Sequence, residues 1–169
     1  MSVGSRHLVL VGMMGSGKTT VGRALAQRLG RELYDSDAMI EAREGRTVRE
    51  IFASDGEPAF RAIESEVLAE ALDAEVPSVI AAAGGVVLSE DNRRLLRSSP
   101  ARVVWLRADP AILVERVKSA GHRPLLDDDP AKVLRQMYSE RESLYREVAQ
   151  AIVTVDNRSI NDVVEAVLR

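Results

Sequence analysis

The sequence predicts an α/β fold of three layers, with a five-stranded parallel sheet flanked by helices. Two observations predict it. Apolar runs alternate with amphipathic stretches along the 169 residues, and a glycine-rich loop joins the first apolar run to the first amphipathic stretch. Strands that alternate with helices favour a parallel sheet covered on both faces. The length suits a single domain over residues 1–169.

Five short runs are the predicted strands: His7–Val11, Glu32–Tyr34, Val79–Ala82, Arg102–Leu106 and Ile152–Val155. Helices are predicted over Lys18–Leu29, from near Asp37, from Thr47, over Glu57–Leu72, from Pro110 to about Ser119, from Pro130 to about Val148, and at the C-terminus. Thr47 and Glu50 have the spacing of a capping box. Asp109 and Asp129 each precede a proline suited to a first helical position.

Composition excludes several classes of function. The formal net charge of -3 argues against a nucleic-acid partner, and the absence of cysteine excludes disulfides and thiolate metal sites. His7 and His122 lack partners at metal-ligand spacing, so we expect ordinary roles for both. The apolar run Leu8–Met14 is too short to span a bilayer, and no signal peptide is visible. We expect a cytoplasmic monomer without a membrane partner.

The glycine-rich loop fits the phosphate-binding pattern G-x-x-x-x-G-K-[ST] over Gly12–Thr19. Glycines let backbone N–H groups turn towards phosphate oxygens, and the following helix points its positive dipole end at the same anion. Lys18 can reach the β- and γ-phosphates, and the Thr19 hydroxyl can ligate Mg²⁺. A tight turn without a ligand is the alternative, which the strand before and the helix after make less favourable. The predicted nucleotide-binding residues here are Gly12, Gly15, Ser16, Gly17, Lys18, Thr19 and Thr20.

Two carboxylates follow the second predicted strand. The third strand does not end in an aspartate, so the acidic partner of a magnesium site must come from elsewhere. Asp35 and Asp37 follow the second strand, which we expect to lie beside the first. One can face the metal and the other an acceptor hydroxyl, whereas helix N-capping would need a single carboxylate. Gly84 and Gly85 can bring backbone N–H groups close to a ligand.

The order of these motifs closely resembles that of the shikimate kinase family. Its members share the patterns G-x-x-G-x-G-K-T, D-S-D, F-R-x-I-E, G-G-x-V, R-P-L-L and R-x-x-L-Y. Here these patterns lie at Gly12–Thr19, Asp35–Asp37, Phe60–Glu64, Gly84–Val87, Arg123–Leu126 and Arg141–Tyr145. The resemblance covers nearly the whole chain and implies a P-loop kinase fold with a mobile lid. It also implies transfer of the ATP γ-phosphoryl group to the 3-hydroxyl of shikimate.

The resemblance implies a role for each matching residue on the acceptor side. Asp37 would orient or deprotonate the acceptor hydroxyl. Arg61 and Arg141 would bind the substrate carboxylate, for which the planar guanidinium is suited. Glu64 lies three residues after Arg61, on the same helix face, and could hold its guanidinium. The predicted substrate-binding residues are Asp37, Arg61, Glu64, Gly84, Gly85 and Arg141.

The resemblance also completes the nucleotide side. Residues 120–129, which lack apolar periodicity, would form the lid, and Arg123 within it would close onto the transferring phosphate. Arg116 would stack on adenine and Arg158 would lie near the base. Thr19 would ligate Mg²⁺, with Asp35 supporting it through water. The predicted catalytic residues are Lys18, Asp37 and Arg123.

Three departures from the family pattern concern substrate fit. Ala83 stands where the family usually has a first glycine, so its methyl group should tighten the substrate loop. Ala81 and Ala82 replace residues that are often small and hydroxylated, and Ser143 replaces a frequent proline in a predicted turn. Other readings remain open: a kinase of gluconate or another cyclitol, a nucleoside monophosphate kinase, and a regulatory nucleotide-binding module.

Overall fold

A computed structural model of the protein describes residues 5–120 and 129–169. Arg123, His122 and most of the predicted lid lie outside these residues. The described strands are β1 Leu8–Val11, β2 Leu33–Asp35, β3 Val79–Ala81, β4 Arg102–Arg107 and β5 Ala151–Thr154. They form one sheet in the order β2-β3-β1-β4-β5, and every neighbouring pair is parallel. The predicted fold class is confirmed.

The described helices are α1 Lys18–Leu29, α2 Ser36–Glu44, α3 Val48–Asp55, α4 Glu57–Asp73, α5 Glu90–Ser98, α6 Pro110–Ala120, α7 Pro130–Val148 and α8 Ile160–Leu168. A short 3₁₀ segment, Gly84–Leu88, follows β3. The sequence-based prediction missed both this segment and α5. Since α5 is polar apart from two adjacent leucines, its apolar periodicity is weak. The usable signal was Ser89, whose hydroxyl accepts a hydrogen bond from the Asn92 amide at 3.3 Å.

The direction of the strand connections determines the layers. The connection from β1 to β2 runs one way across the sheet, and all later connections between strands run the other way. Because such crossovers are right-handed, α1 lies on one face and α4, α5 and α7 on the other. Consistent with this, α8 packs against α1, and α7 packs against α5 and β4. The loops after β1 and β3 therefore leave towards opposite faces and open a crevice at the carboxyl ends of the strands.

The expectation that the second strand lies beside the first is wrong. The strand β3 pairs with both β1 and β2 and separates them. A right-handed crossover returns β3 to the position between the two earlier strands, so sequential strands are not neighbours here. The end of β2 nevertheless stays at the same edge of the sheet as the end of β1, because all five strands are parallel.

The core consists mainly of aliphatic side chains, as the low aromatic content predicts. All four residues of β1 are fully buried, and the largest buried side chains are Trp105 and Tyr145. Their rings stack with centroids 5.6 Å apart. Strands buried on both faces read as continuous apolar runs, and β1 and the centre of β4 do so. No helix among residues 5–120 and 129–169 has the length and apolar character needed to cross a bilayer.

Local capping accounts for several helix starts. The predicted capping box of α3 is present, with Thr47 and Glu50 each bonding to the other's backbone amide. Asp129 caps α7 by accepting from the Lys132 amide.

The ordinary role expected for His7 is also observed. Its buried ring accepts from the Ser78 amide at Nδ1 (3.1 Å) and donates from Nε2 to the Ala74 carbonyl (2.8 Å), tying the start of β1 to the loop before β3.

A substitution at Gly12 tests the packing beneath the first loop. A Cβ atom there would lie 2.6 Å from the Leu106 carbonyl oxygen, and the backbone φ of 148° is rarely adopted by other residues. We expect Gly12→Ala to lower the free energy of unfolding by about 3 kcal/mol, because backbone strain and overpacking both contribute. The control is Gly45→Ala, at φ 65° with open space around it, which should cost about 1 kcal/mol. Urea unfolding followed by Trp105 fluorescence measures the stability of both variants. Equal losses of unfolding free energy would contradict the close approach of Gly12 to the Leu106 carbonyl.

Candidate active site

One cavity of about 950 Å³ lies at the carboxyl ends of β1, β2 and β3. It brings together nearly all of the predicted site residues that the structure describes. Those lining it are Gly15, Ser16, Gly17, Lys18, Thr19, Thr20, Asp35, Asp37, Arg61, Glu64, Gly84, Gly85, Arg116, Arg141 and Arg158. Gly12 lies beneath them, against β4. The residues predicted for the nucleotide and those predicted for the acceptor therefore line the same cavity.

The loop Gly12–Lys18 runs from the end of β1 into the first turn of α1. Gly12, Gly15 and Gly17 all have positive φ, and Gly17 is the N-cap of α1 without a side-chain cap among the described residues. The first amides of α1 consequently point at the cavity, and with the helix dipole they favour an anion. The Lys18 ammonium donates to the carbonyl oxygens of Gly12 (2.7 Å) and Met13 (3.0 Å), which places a cation at the same point.

The Ser16 side chain is evidence that this loop binds a ligand. It is 1% exposed, and its hydroxyl has no hydrogen-bond partner among the described residues. Buried polar groups are normally paired, so this unpartnered hydroxyl in the glycine-rich loop indicates that a further polar group binds there.

Asp35 joins this loop to the next element of the site. Its Oδ2 accepts a hydrogen bond from the Thr19 hydroxyl at 2.6 Å, and its Oδ1 accepts from the Ala38 amide at 3.1 Å. Asp35 therefore also serves as the N-cap of α2, and this cap uses only one of its two carboxylate oxygens. Because Thr19 donates its proton to Asp35, the lone pairs of its own oxygen stay available for a cation. The pair forms a hard-oxygen site of the kind that Mg²⁺ prefers.

Asp37 lies in the first turn of α2, two residues beyond the N-cap, and lines the cavity. Burial is the main cause that raises the pKa of Glu64, and the negative charge of Asp37 adds to that rise, so the two carboxylates interact. Among the described residues, no group of three or more acidic or histidine side chains forms a metal cluster. The separate roles predicted for Asp35 and Asp37 stay predictions.

Arg61 and Glu64 form the predicted contact on one face of α4. The Arg61 Nη1 donates to both carboxylate oxygens of Glu64, at 3.1 and 3.0 Å, and Glu64 is 1% exposed. Burial raises the pKa of Glu64, and the nearby Arg61 and Arg141 cations oppose that rise. Arg61 also passes close to Gly85, where a Cβ atom would lie 2.0 Å from Nη1. A glycine is needed at position 85 for Arg61 to keep this position.

Arg141 is the second cation at this end of the cavity. It lies on α7, is 4% exposed, and its Nε has no hydrogen-bond partner among the described residues. Its Nη1 lies 3.7 Å from where a Cβ atom of Gly84 would be. The Tyr145 hydroxyl and the Glu64 charge interact with this guanidinium, and the Nε that lacks a partner among the described residues favours a further anionic group in the cavity.

The arginines predicted for the base lie at the opposite end. The Arg116 Nη1 donates to the Gly15 carbonyl at 3.0 Å, and the Arg158 Nη1 donates to the Thr154 carbonyl at 3.1 Å. Both line the cavity next to the glycine-rich loop. Arg123 lies outside the described residues.

The structure also locates the three departures from the family pattern. Ala83 lines the cavity with φ -61° and ψ 146°, a conformation open to any residue, so its methyl group introduces no backbone strain. Ala81 and Ala82 are buried at the end of β3, and Ala81 is in register with Asp35. Ser143 lies within helix α7, so the expectation that it loosens a turn is wrong.

Sequence reasoning missed the apolar wall of the cavity. Phe52 and Phe60 line it, with ring centroids 4.6 Å apart, and Val48 lines it from the start of α3. Phe60 belongs to the F-R-x-I-E pattern but received no role. The available signal was the scarcity of phenylalanine, since both copies in the chain lie here.

Known proteins match this chain over nearly its full length. The sequence model of the shikimate kinase family matches residues 14–169. A shikimate kinase of Symbiobacterium thermophilum is 46% identical over 165 residues, which cover 96% of this chain and 94% of that protein. The solved structure described as shikimate kinase from Acinetobacter baumannii in complex with shikimate has a TM-score of 0.91 and 38% identity, covering 96% of this chain and 90% of that one.

A gluconokinase structure from Sinorhizobium meliloti has a TM-score of 0.62 at 23% identity, covering 97% of this chain and 90% of that one. At that identity the likeness concerns the fold alone. The family model and the close relative agree with the motif order and with the five-stranded parallel sheet. The chain belongs to the shikimate kinase family.

Proposed function

We propose that the protein transfers the γ-phosphoryl group of ATP to the 3-hydroxyl of shikimate, giving shikimate 3-phosphate and ADP. One observation carries this proposal: a phosphate-binding loop and a pair of arginines face each other across one cavity, with Asp37 lining it as well. An acceptor with hydroxyls and a carboxylate matches those groups. Family membership adds ATP as the co-substrate.

The nucleotide would occupy the end formed by the glycine-rich loop. Amides of the loop and the first turn of α1 would hold the phosphates, and the Ser16 hydroxyl would gain the partner that it lacks among the described residues. The Lys18 ammonium would turn from the carbonyls of Gly12 and Met13 to phosphate oxygens. Arg116 and Arg158 would contact the base.

Thr19 and Asp35 would hold the magnesium ion that accompanies ATP. Their hydrogen bond leaves the Thr19 oxygen free to ligate, while Asp35 would bind through water. When bound, the ion neutralises charge that develops on the phosphate oxygens. The same Asp35 carboxylate also caps the N-terminus of α2.

The acceptor would lie between Asp37 and the two arginines. Arg61, held by Glu64, and Arg141 would bind the substrate carboxylate, and Gly84 and Gly85 would offer backbone N–H groups. The 3-hydroxyl oxygen of the acceptor would bond to the γ-phosphorus while the bond between the γ-phosphorus and the ADP oxygen breaks. Asp37 would accept the proton that the hydroxyl loses. Because this transition state is loose, positioning and charge neutralisation contribute more than base strength. Arg123 is proposed to add its charge to the transferring phosphate.

The choice of acceptor is tested by measuring ADP release with MgATP and a panel of shikimate, gluconate, neutral cyclitols and nucleoside monophosphates. We expect turnover with shikimate, since two buried or half-buried arginines suit a carboxylate on a compact ring. Turnover with gluconate and not with shikimate would contradict the proposed substrate. Binding of ATP without turnover of any acceptor would instead favour a regulatory nucleotide-binding module.

Lys18→Ala tests the nucleotide end. Loss of the ammonium should lower kcat/KM about a hundredfold or more, because a cation directed at the transferring phosphate stabilises the transition state most strongly. Steady-state kinetics and ATP titration measure the effect. Lys132→Ala, an exposed lysine of α7 outside the cavity, is the matched control. Unchanged kinetics in Lys18→Ala would refute the assignment of this loop.

Asp37→Asn tests the acceptor end. The amide keeps the shape of the side chain but removes its charge and basicity, so kcat should fall about a hundredfold while ATP affinity survives. Asp91→Asn, on the exposed face of α5, makes the same chemical change away from the cavity. A near-normal kcat in Asp37→Asn would show that another group positions the acceptor hydroxyl.

A further inference from the structure

Two side chains of α5, which neither the motifs nor the proposed reaction use, hydrogen-bond to the backbone of the 3₁₀ segment Gly84–Leu88. The Asn92 Nδ2 donates to the Val86 carbonyl at 2.9 Å, and the Arg93 Nη1 donates to the Val87 carbonyl at 2.7 Å. Arg93 is itself paired through Nε with Glu147 of α7 at 2.5 Å. The last carbonyls of a short helix lack partners within it, and here α5 supplies them.

Tyr145 of α7 holds the first residue of the same segment. Its hydroxyl donates to the Gly84 carbonyl at 2.6 Å. The ring is fully buried and stacks on Trp105, so the hydroxyl has little freedom to move. Burial raises the pKa of Tyr145 to about 12, and the hydroxyl therefore stays protonated and acts as a donor across the physiological range.

Gly84 is the point at which the two halves of the cavity meet. A Cβ atom there would lie 3.4 Å from both the Gly12 carbonyl oxygen and the Met14 amide nitrogen, and 3.7 Å from the Arg141 Nη1. The segment therefore lies close to both the phosphate loop and Arg141.

We propose that Tyr145 is a positioning residue for the acceptor, acting through the Gly84 carbonyl, with Asn92 securing the same segment at Val86. The Gly84 carbonyl and the Gly85 N–H belong to one planar peptide and point in opposite directions, so holding the carbonyl also fixes the direction of the Gly85 N–H. This inference rests on the proposed function for its kinetic consequence, but the restraint on the segment exists without substrate. A loop whose carbonyls are pinned loses less conformational entropy when an acceptor binds.

Tyr145→Phe removes the hydroxyl, which contacts both the Gly84 carbonyl and the Arg141 side chain, and keeps the ring that stacks on Trp105. We expect kcat/KM for shikimate to fall about tenfold, in line with the loss of these hydrogen bonds, while KM for ATP changes less than about twofold. Tyr138→Phe is the matched control, because it lies on the same helix and loses a comparable bond, from the Arg107 Nε at 3.2 Å, away from the segment. Its kinetics should match those of the unchanged protein.

A second readout needs no substrate. The Val86 amide, which donates to the Ala83 carbonyl at 3.1 Å, should exchange its hydrogen about tenfold faster in Tyr145→Phe than in Tyr138→Phe when residue-resolved exchange is followed by NMR. Unchanged exchange would overturn the restraint on the segment whatever the acceptor is. Faster exchange together with equal changes in the kinetic constants for shikimate and for ATP would overturn the acceptor-specific role. If the unchanged protein does not turn over shikimate, the proposed function fails, and the exchange result still decides the restraint.

Discussion

The hydrogen bond between the Thr19 hydroxyl and the Asp35 carboxylate joins the two halves of the cavity. Thr19 belongs to the first turn of α1, which follows the phosphate loop, and Asp35 is the N-cap of α2, which carries Asp37. One carboxylate therefore links the proposed metal position to the helix that presents the acceptor-side carboxylate. The Asp35 side chain is therefore one link between the nucleotide end and the acceptor end of the cavity.

The acceptor end depends on an unusual balance of buried charge. Glu64 and Arg141 are almost fully buried, and Arg61 is held against Glu64. Glu64 is the buried carboxylate that faces both arginines, and Arg61 also pairs with Glu57 at 3.4 Å. Burying charge costs free energy that such pairs offset, and the Arg141 Nε stays without a hydrogen-bond partner among the described residues. The Phe52–Phe60 wall offers an apolar surface to a ring.

Sequence reasoning located the elements well where a strong periodic or capping signal existed. The strand β1, the helix α1 and the capping box of α3 lie where the patterns indicate. It missed α5 because that helix buries only Asn92 and Leu96, so its sequence shows little apolar periodicity. It misplaced β2 because strand order follows from crossover handedness and packing, neither of which is written in a local pattern. The restraint of Gly84 by Tyr145 joins residues 61 positions apart, so no local spacing could indicate it.

The sequence by itself determined the phosphate loop, the identities of the charged groups and the alternation of strands and helices. Those are local properties, since a glycine pattern, a cap or an apolar period lies within a few residues. Only the tertiary structure decided that β3 separates β1 from β2, that Asp35 serves two partners, and that the buried Arg141 has one nitrogen without a partner among the described residues. These features depend on which distant segments share the same space, and that is set by packing of the whole chain around one sheet.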